Sequence, residues 1–243
     1  MSYRRRTYRH LVAADGLVAF EVKLRETDLQ ILAPMDVSEA ATDLVRHYRN
    51  QLENYIAKHP LFLTALSPLP NDPLAPMLIQ AMCRAATAAA VGPMAAVAGV
   101  IAECVGRGLQ ERYGFTDIVV ENGGDIYLQR QAETTVSVFA GASPLSHKVG
   151  IRLRPDQMPA GICTSSATVG HSLSLGRADA ATVLAGSAAL ADAVATRLGN
   201  ETKSEADIDR ALAVAAAIPG VRGALVIKGG AIGAWGDLEL AGL

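Results

Sequence analysis

Hydrophobic and polar residues alternate where Phe20, Val22 and Leu24 interleave with Glu21, Lys23 and Arg25. A two-residue period of this kind marks a half-buried antiparallel strand, here Leu17–Arg25. Tyr8–Ala13 and Asp28–Ala33 have similar character, with Asp15-Gly16 and Glu26–Asp28 at the positions of hairpin turns. The period then lengthens. Asp36 is followed by Glu39 at capping-box spacing, and apolar residues recur at Ala41, Leu44, Val45, Tyr48, Leu52, Tyr55 and Ile56. This predicts a helix that stops before Pro60. The Pro-rich stretch Ser67–Pro76 reads as a loop and marks the best place for a subdomain boundary in an otherwise single domain. Two alanine-rich helices follow, about Leu74–Ala90 and Met94–Tyr113. Strands are then predicted at Asp117–Glu121, Asp125–Gln129, Thr134–Phe139, His147–Leu153, Gly161–Thr164 and Thr182–Ala185. Helices at about Ser187–Leu198 and Ser204–Ile218 precede a closing hairpin, Ala224–Lys228 with Ala231–Trp235. Tightly turned strand pairs with helices between the groups predict an α+β fold, with largely antiparallel sheets packed against Ala/Gly-rich helices.

Composition narrows the function classes. Of 243 residues, 50% are hydrophobic and 19% charged, which excludes intrinsic disorder. A net charge of −2 supplies no basic field for nucleic acid or an anionic membrane. The three cysteines, Cys83, Cys104 and Cys163, form no CxxC pair and read as reduced thiols of a cytoplasmic protein. The N-terminal arginines have no apolar run behind them, so no secretion signal is expected. Ala85 to Ala102 carries no charge, but Gly92-Pro93 breaks its middle. It is read as two buried helices joined by a turn, not as a membrane span.

Several short patterns could carry chemistry. In Asn122-Gly123-Gly124-Asp125 the glycines suit either a plain hairpin or a bare backbone that a flat or phosphorylated ligand can approach. Lys228-Gly229-Gly230 is a weaker signal of the same kind. Asp192 and Thr196 stand four residues apart on a predicted helix, so a carboxylate and a hydroxyl share one face. Two hard oxygens so placed suit Mg²⁺, although Asp192 could equally face water while Thr196 bonds back to its own helix. Thr164-Ser165-Ser166 ends a strand in hydroxyls able to donate to phosphate oxygens or a ring edge. Cys163 reads as a buried structural thiol or a reactive one, and His171 as a candidate base. Ser165, His171 and Asp179 could be written as a triad, but no nucleophile-elbow pattern accompanies them. Arg4-Arg5-Arg6 with Arg9 could bind a phosphate or simply form a solvated edge.

In this order the patterns resemble the ApbE family of flavin transferases. The resemblance is carried by Gly92–Glu103, Glu121–Ile126, Thr164–Ser166, Thr182–Ala185 and the Ala-Asp-Ala-x-x-Thr helix at Ala191–Thr196, within about residues 85–200. It implies that Asp192 and Thr196 hold Mg²⁺ with a backbone carbonyl near Ala95, and that Asn122, Gly123, Gly124, Asp125, Thr164, Ser165 and Ser166 border FAD or a related adenine nucleotide. It further implies transfer of FMN to a threonine of an acceptor protein. Two departures stand out: the family's lysine falls at Ala98, and its long insertion with a His-x-x-Asp-Pro pattern is cut to Ala167–Ala181, leaving His171 as the stand-in. The chain looks most like the shorter, signal-less branch of the superfamily, which has been linked to sulfur assimilation and homocysteine formation. That gives a second reading, with Cys163 as a sulfur-handling thiol. A non-catalytic ligand-binding scaffold is a third. The Ala/Gly-rich helices could also serve a homodimer interface.

Overall fold

The computed structural model describes residues 16–167 and 175–243. The expected strand Tyr8–Ala13, the arginines at 4, 5, 6 and 9, and His171 lie outside the described residues. The elements run β1 (Val18–Leu24), β2 (Thr27–Ala33), α1 (Ser38–Lys58), α2 (Leu61–Thr64), α3 (Met77–Ala89), a 3₁₀ turn (Pro93–Ala96) and α4 (Val97–Tyr113). They continue with β3 (Ile118–Asn122), β4 (Asp125–Gln129), β5 (Thr134–Ser137), β6 (Val149–Leu153), β7 (Ala160–Ser165) and β8 (Ala180–Ala185). Last come α5 (Ala188–Glu201), α6 (Ile208–Ala216), β9 (Val221–Lys228), β10 (Ala231–Gly236) and β11 (Glu239–Gly242). The fold is α+β.

Among the described residues, eight strands form one sheet in the order β1-β2-β3-β4-β7-β8-β9-β10, and β11-β6-β5 form a second. Every pairing is antiparallel. The central strands are buried on both faces, and alternation sorts their side chains between two cores. Tyr127, Cys163, Val183, Ala224 and Val226 face the helices. Leu128, Ile162, Leu184, Leu225 and Ile227 face the second sheet through Ile151 and Leu153. Helices cover the first face in sheet order: α1 on β1, α4 on β3 and β4, α5 on β7 and β8, and α6 on β9 and β10.

Four local expectations change. The first hairpin turns at Arg25-Glu26, not at Glu26–Asp28, with Arg25 at φ 54°. Asp36 is not a capping-box residue: its Oδ1 accepts from the Ser38 amide at 2.9 Å, and α1 starts after Val37 with no side-chain cap. The short helix α2 and the edge strand β11 were not expected. The small residues offered for a homodimer interface, among them Ala85, Ala86, Ala89, Ala102, Ala191 and Ala195, are buried within the chain. Among the described residues no single helix is long and apolar enough to cross a membrane, and α3 bends by 105° into the 3₁₀ turn and α4.

Candidate functional site

The site lies where α4 and α5 meet over β4 and β7. These two strands are neighbours in the sheet although β5 and β6 intervene in sequence. The β3–β4 hairpin closes on the Asn122–Asp125 pair with a two-residue turn. Gly123 has φ 72° and Gly124 φ 107°, values that residues with a Cβ rarely adopt. Glu121 Oε1 fixes the turn by accepting from the Gly124 amide at 2.8 Å. The Asn122 side-chain amide donates to the Ala98 carbonyl at 3.1 Å, tying the hairpin to the start of α4.

Register brings Asp125 opposite Cys163. Helix α5 then runs along β7. A Cβ at Gly161 would fall 2.7 Å from the Ser187 carbonyl carbon and closer still to Ala188 N and Cα. At the other end, a Cβ at Gly199 would lie 3.3 Å from Ser165 Oγ. Between them Cys163 Sγ donates to the Ala188 carbonyl at 3.4 Å, and Asp192 Oδ2 accepts from the Gly99 amide at 2.8 Å. Thr196 follows one turn after Asp192 on the same stripe of α5 and is half-buried. The 3₁₀ turn that contains Ala95 packs against α5.

The electrostatics are unusual for a structural core. Burial first, then the negative charge of Asp192, pushes the Asp125 carboxyl well above the usual carboxylate range. Burial also raises Asp192, against the lowering effect of amide donors from Gly99 and Ala98. The Cys163 thiol is pushed up by burial and by both carboxylates, so it is protonated and sealed from solvent. Among the described residues no cationic side chain is a cause of the shifts of Asp125 or Asp192. No three His, Cys, Asp or Glu side chains among the described residues are placed to share one metal ion. A cation here would rest on carboxylate, hydroxyl, carbonyl and water oxygens, the donor set of Mg²⁺ rather than of zinc.

A family model described as "AbpE bacteria" matches residues 9–231. The chain belongs to the ApbE-like family. A UPF0280 protein of Methanococcus aeolicus is 38% identical over 224 residues, covering 90% of each chain. A UPF0280 protein of Methanocaldococcus jannaschii is 40% identical over 203 residues, 82% of each. Among solved structures, the flavinyl transferase ApbE of Pseudomonas stutzeri, in its apo form, matches with a TM-score of 0.58 at 12% identity, covering 90% of this chain and 94% of that one. The flavin transferase ApbE of Vibrio cholerae gives 0.53 at 16% identity, with 90% and 96% covered. These structural likenesses establish the shared fold.

Within this ApbE-like fold the sequence-selected residues divide. Asn122, Asp125, Asp192 and Cys163 converge, with the Gly123-Gly124 turn beside them. Ser165 lies on the α5 face of β7. Thr164 does not join them by its side chain. Strand alternation turns it to the opposite face, where its hydroxyl meets that of Thr182 at 2.9 Å. Ser166 lies just past the end of β7 and is half-buried. Asp179 belongs elsewhere: its Oδ2 accepts from the Gly229 amide at 2.7 Å and its Oδ1 pairs with Lys228 at 3.5 Å. It therefore pins the β9–β10 turn, which accounts for Lys228-Gly229-Gly230 without a ligand. One contributor was missed by the sequence reading, Glu103. Its Oε2 accepts from the Ala188 amide at 2.8 Å and from Ser187 Oγ at 3.0 Å.

Proposed function

We propose that this ApbE-like protein binds FAD or a related adenine nucleotide together with Mg²⁺ at the α4–α5 seam. One observation carries the reading: the half-buried Asp125 and the buried Asp192 both have raised pKa values, the charge of Asp192 acts on Asp125, and among the described residues no cationic side chain offsets them. Burying like charges is costly unless something neutralises them, and a hard divalent cation does so. Asp192 and Thr196 would hold the metal, with a carbonyl near Ala95 and water completing its shell. Bound there, Mg²⁺ would supply charge neutralisation of a pyrophosphate. The Gly123-Gly124 turn offers backbone without Cβ atoms to a flat ring, Asn122 keeps that turn against α4, and Ser165 offers a hydroxyl from the same face of the sheet.

The binding half of this reading is the one the geometry supports best. Transfer of FMN to a protein threonine would need the acceptor hydroxyl to attack the FMN phosphorus, AMP to leave, and a base to take the hydroxyl proton. His171 is the candidate base from sequence. Alanine at position 98 adds no positive charge to the seam, so binding relies more heavily on the metal. The sulfur-handling reading loses its nucleophile, because Cys163 is fully buried with its thiol pushed upward. Calorimetric titration with FAD, with and without Mg²⁺, tests the proposal on the wild type and on Asp192→Ala. Saturable Mg²⁺-dependent binding that Asp192→Ala abolishes supports it. Absence of binding to the wild type under both conditions refutes it. Incubation with FAD and an acceptor protein, followed by intact-mass measurement, separately tests transfer as an added FMN mass.

A further inference from the structure

The opening amides of a helix have no acceptor within it, and α4 and α5 solve this problem for each other. Asp192, in the second turn of α5, accepts from the Gly99 amide at 2.8 Å, and the neighbouring Ala98 amide also favours its ionised form. Glu103, in the second turn of α4, accepts from the Ala188 amide at 2.8 Å and from Ser187 Oγ at 3.0 Å. The exchange is reciprocal: each helix places one carboxylate on the other's first turn. Glu103 is itself held from behind, since its Oε1 accepts from Arg107 Nε at 2.9 Å. The Arg107 guanidinium in turn lies 5.5 Å from the centre of the buried Tyr127 ring. Close packing tightens the pair further. A Cβ at Gly99 would come within 2.8 Å of the Ala188 carbonyl carbon and of Asp192 Cβ.

We infer that Glu103 is a positioning residue: by tying the first turn of α5 to α4 it sets where the Asp192 carboxylate stands against Gly99. Charge favours the arrangement at both ends, because each carboxylate sits at the positive end of a helix. If Glu103 lets go, the first turn of α5 is free to lift from α4, and Asp192 moves with it. The role of Asp192 as a cation ligand is the reading proposed above, and the link between Glu103 and Asp192 can be measured with no cation present. Residues that orient metal ligands in this way typically change metal affinity by roughly 10–100-fold when removed.

The test uses the full chain. Amide exchange at Ala98, Gly99 and Ala188 is followed by NMR in metal-free wild type, Glu103→Gln, Glu103→Ala and Ser187→Ala, and Mn²⁺ binding to each is titrated by electron paramagnetic resonance. The Gly99 amide, with Ala98 beside it, is held against Asp192, across the seam from Glu103. In Glu103→Ala their exchange should rise about tenfold or more together with that of Ala188, while amides in β7 and β8 stay slow. Mn²⁺ affinity should fall by roughly 10–100-fold. Glu103→Gln keeps an acceptor oxygen for Ala188 and should fall between wild type and alanine. Unchanged exchange at Ala98 and Gly99 in Glu103→Ala overturns the inference. So does exchange that rises equally in β7 and β8, since that would be general loosening. If Glu103→Ala does not fold, the same pattern must appear in Glu103→Gln and Ser187→Ala, in milder form. A wild type that fails to bind Mn²⁺, with exchange behaving as described, removes the cation reading and leaves the positioning role intact. Wild-type Mn²⁺ binding with unaffected exchange does the reverse.

Discussion

Replacing Gly161 by alanine probes the contact that seats α5 on the sheet. Gly161 has no positive φ to lose, so alanine's backbone preference costs nothing and the effect is steric. The new Cβ would stand 2.7 Å from the Ser187 carbonyl carbon, and nearer to Ala188 N and Cα. Carbon contacts settle at about 3.5–4.0 Å, so the first turn of α5 must retreat by about 1 Å. All of the opposing atoms are backbone, so no side chain can rotate away. Overpacking of this kind costs about 1–3 kcal/mol. In a chain of this size that lowers the melting temperature by roughly 2–12 °C. The retreat also lengthens the bonds from Ala188 to Glu103 and Cys163, so Mg²⁺-dependent nucleotide binding should weaken with stability. Thermal melts and urea unfolding measure the first effect and calorimetry the second. Gly186→Ala is the control, because a Cβ there meets nothing within 4 Å, and it should melt within about 0.5 kcal/mol of wild type. A Gly161→Ala protein that melts at or above the wild-type temperature would refute the claim that α5 is pressed backbone to backbone on β7.

Three further outcomes follow from the site. Asp192→Asn keeps an acceptor oxygen for Gly99 but removes the buried carboxyl whose ionisation beside Asp125 is costly. Near neutral pH the metal-free protein should gain about 1 kcal/mol or more in urea unfolding while losing Mg²⁺-dependent FAD binding, and a loss of both would argue against charge strain. The pH dependence has a definite sign. Asp125 and Asp192 bind protons more tightly folded than unfolded, so their contribution is fully present below the ordinary carboxylate pKa of about 4 and is lost as pH rises above it. Urea midpoints from pH 4 to 8 should fall more steeply for metal-free wild type than for Asp192→Asn, with saturating Mg²⁺ flattening the wild-type curve; parallel curves would sink the assignment. Finally, burial pushes the Cys104 thiol up to about 12 and raises Cys83 and Cys163 too. An aromatic disulfide reagent at pH 8 should find almost no reactive thiol in the native chain and three after denaturation, whereas fast native labelling of Cys163 would reopen a sulfur-handling role.

Much of the fold could be read from residue pattern because local rules agree with the final packing. Strand β4 occupies Asp125–Gln129 as the pattern predicts, and the Asn122–Asp125 turn follows from its glycines. Strands β5 and β6 of the second sheet fall within the predicted strands, but β11 was not legible, since it is short and pairs with β6 across most of the later chain. The candidate site was legible in its parts but not in its assembly. Asp192 and Thr196 share a helix face by simple periodicity. The pairing of Asp125 with Cys163 depends on β4 lying next to β7, which no local pattern encodes. The face of Thr164 could have been foreseen: Gly161, Cys163 and Ser165 occupy alternate positions along the strand, which leaves Thr164 on the other side. Glu103 carried only the spacing of an ion pair with Arg107, and its partner at Ala188 is 85 residues away.

The seam draws on the 3₁₀ turn, α4, the β3–β4 hairpin, β7 and α5, so its donors come from segments that the chain must first bring together over long loops. Such non-local closure belongs late in folding, after the entropy of bringing distant segments together has been met. A chain stalled before β7 docks on β4, or before α5 settles over the sheet, has no seam to offer. An ion or nucleotide that recognises the finished arrangement therefore selects molecules that have completed folding and stabilises them by mass action. If the proposed site is filled in this way, occupancy would act as a proofreading signal for the chain's own maturation, and limiting ligand during synthesis would leave a larger share of molecules exposed to proteolysis.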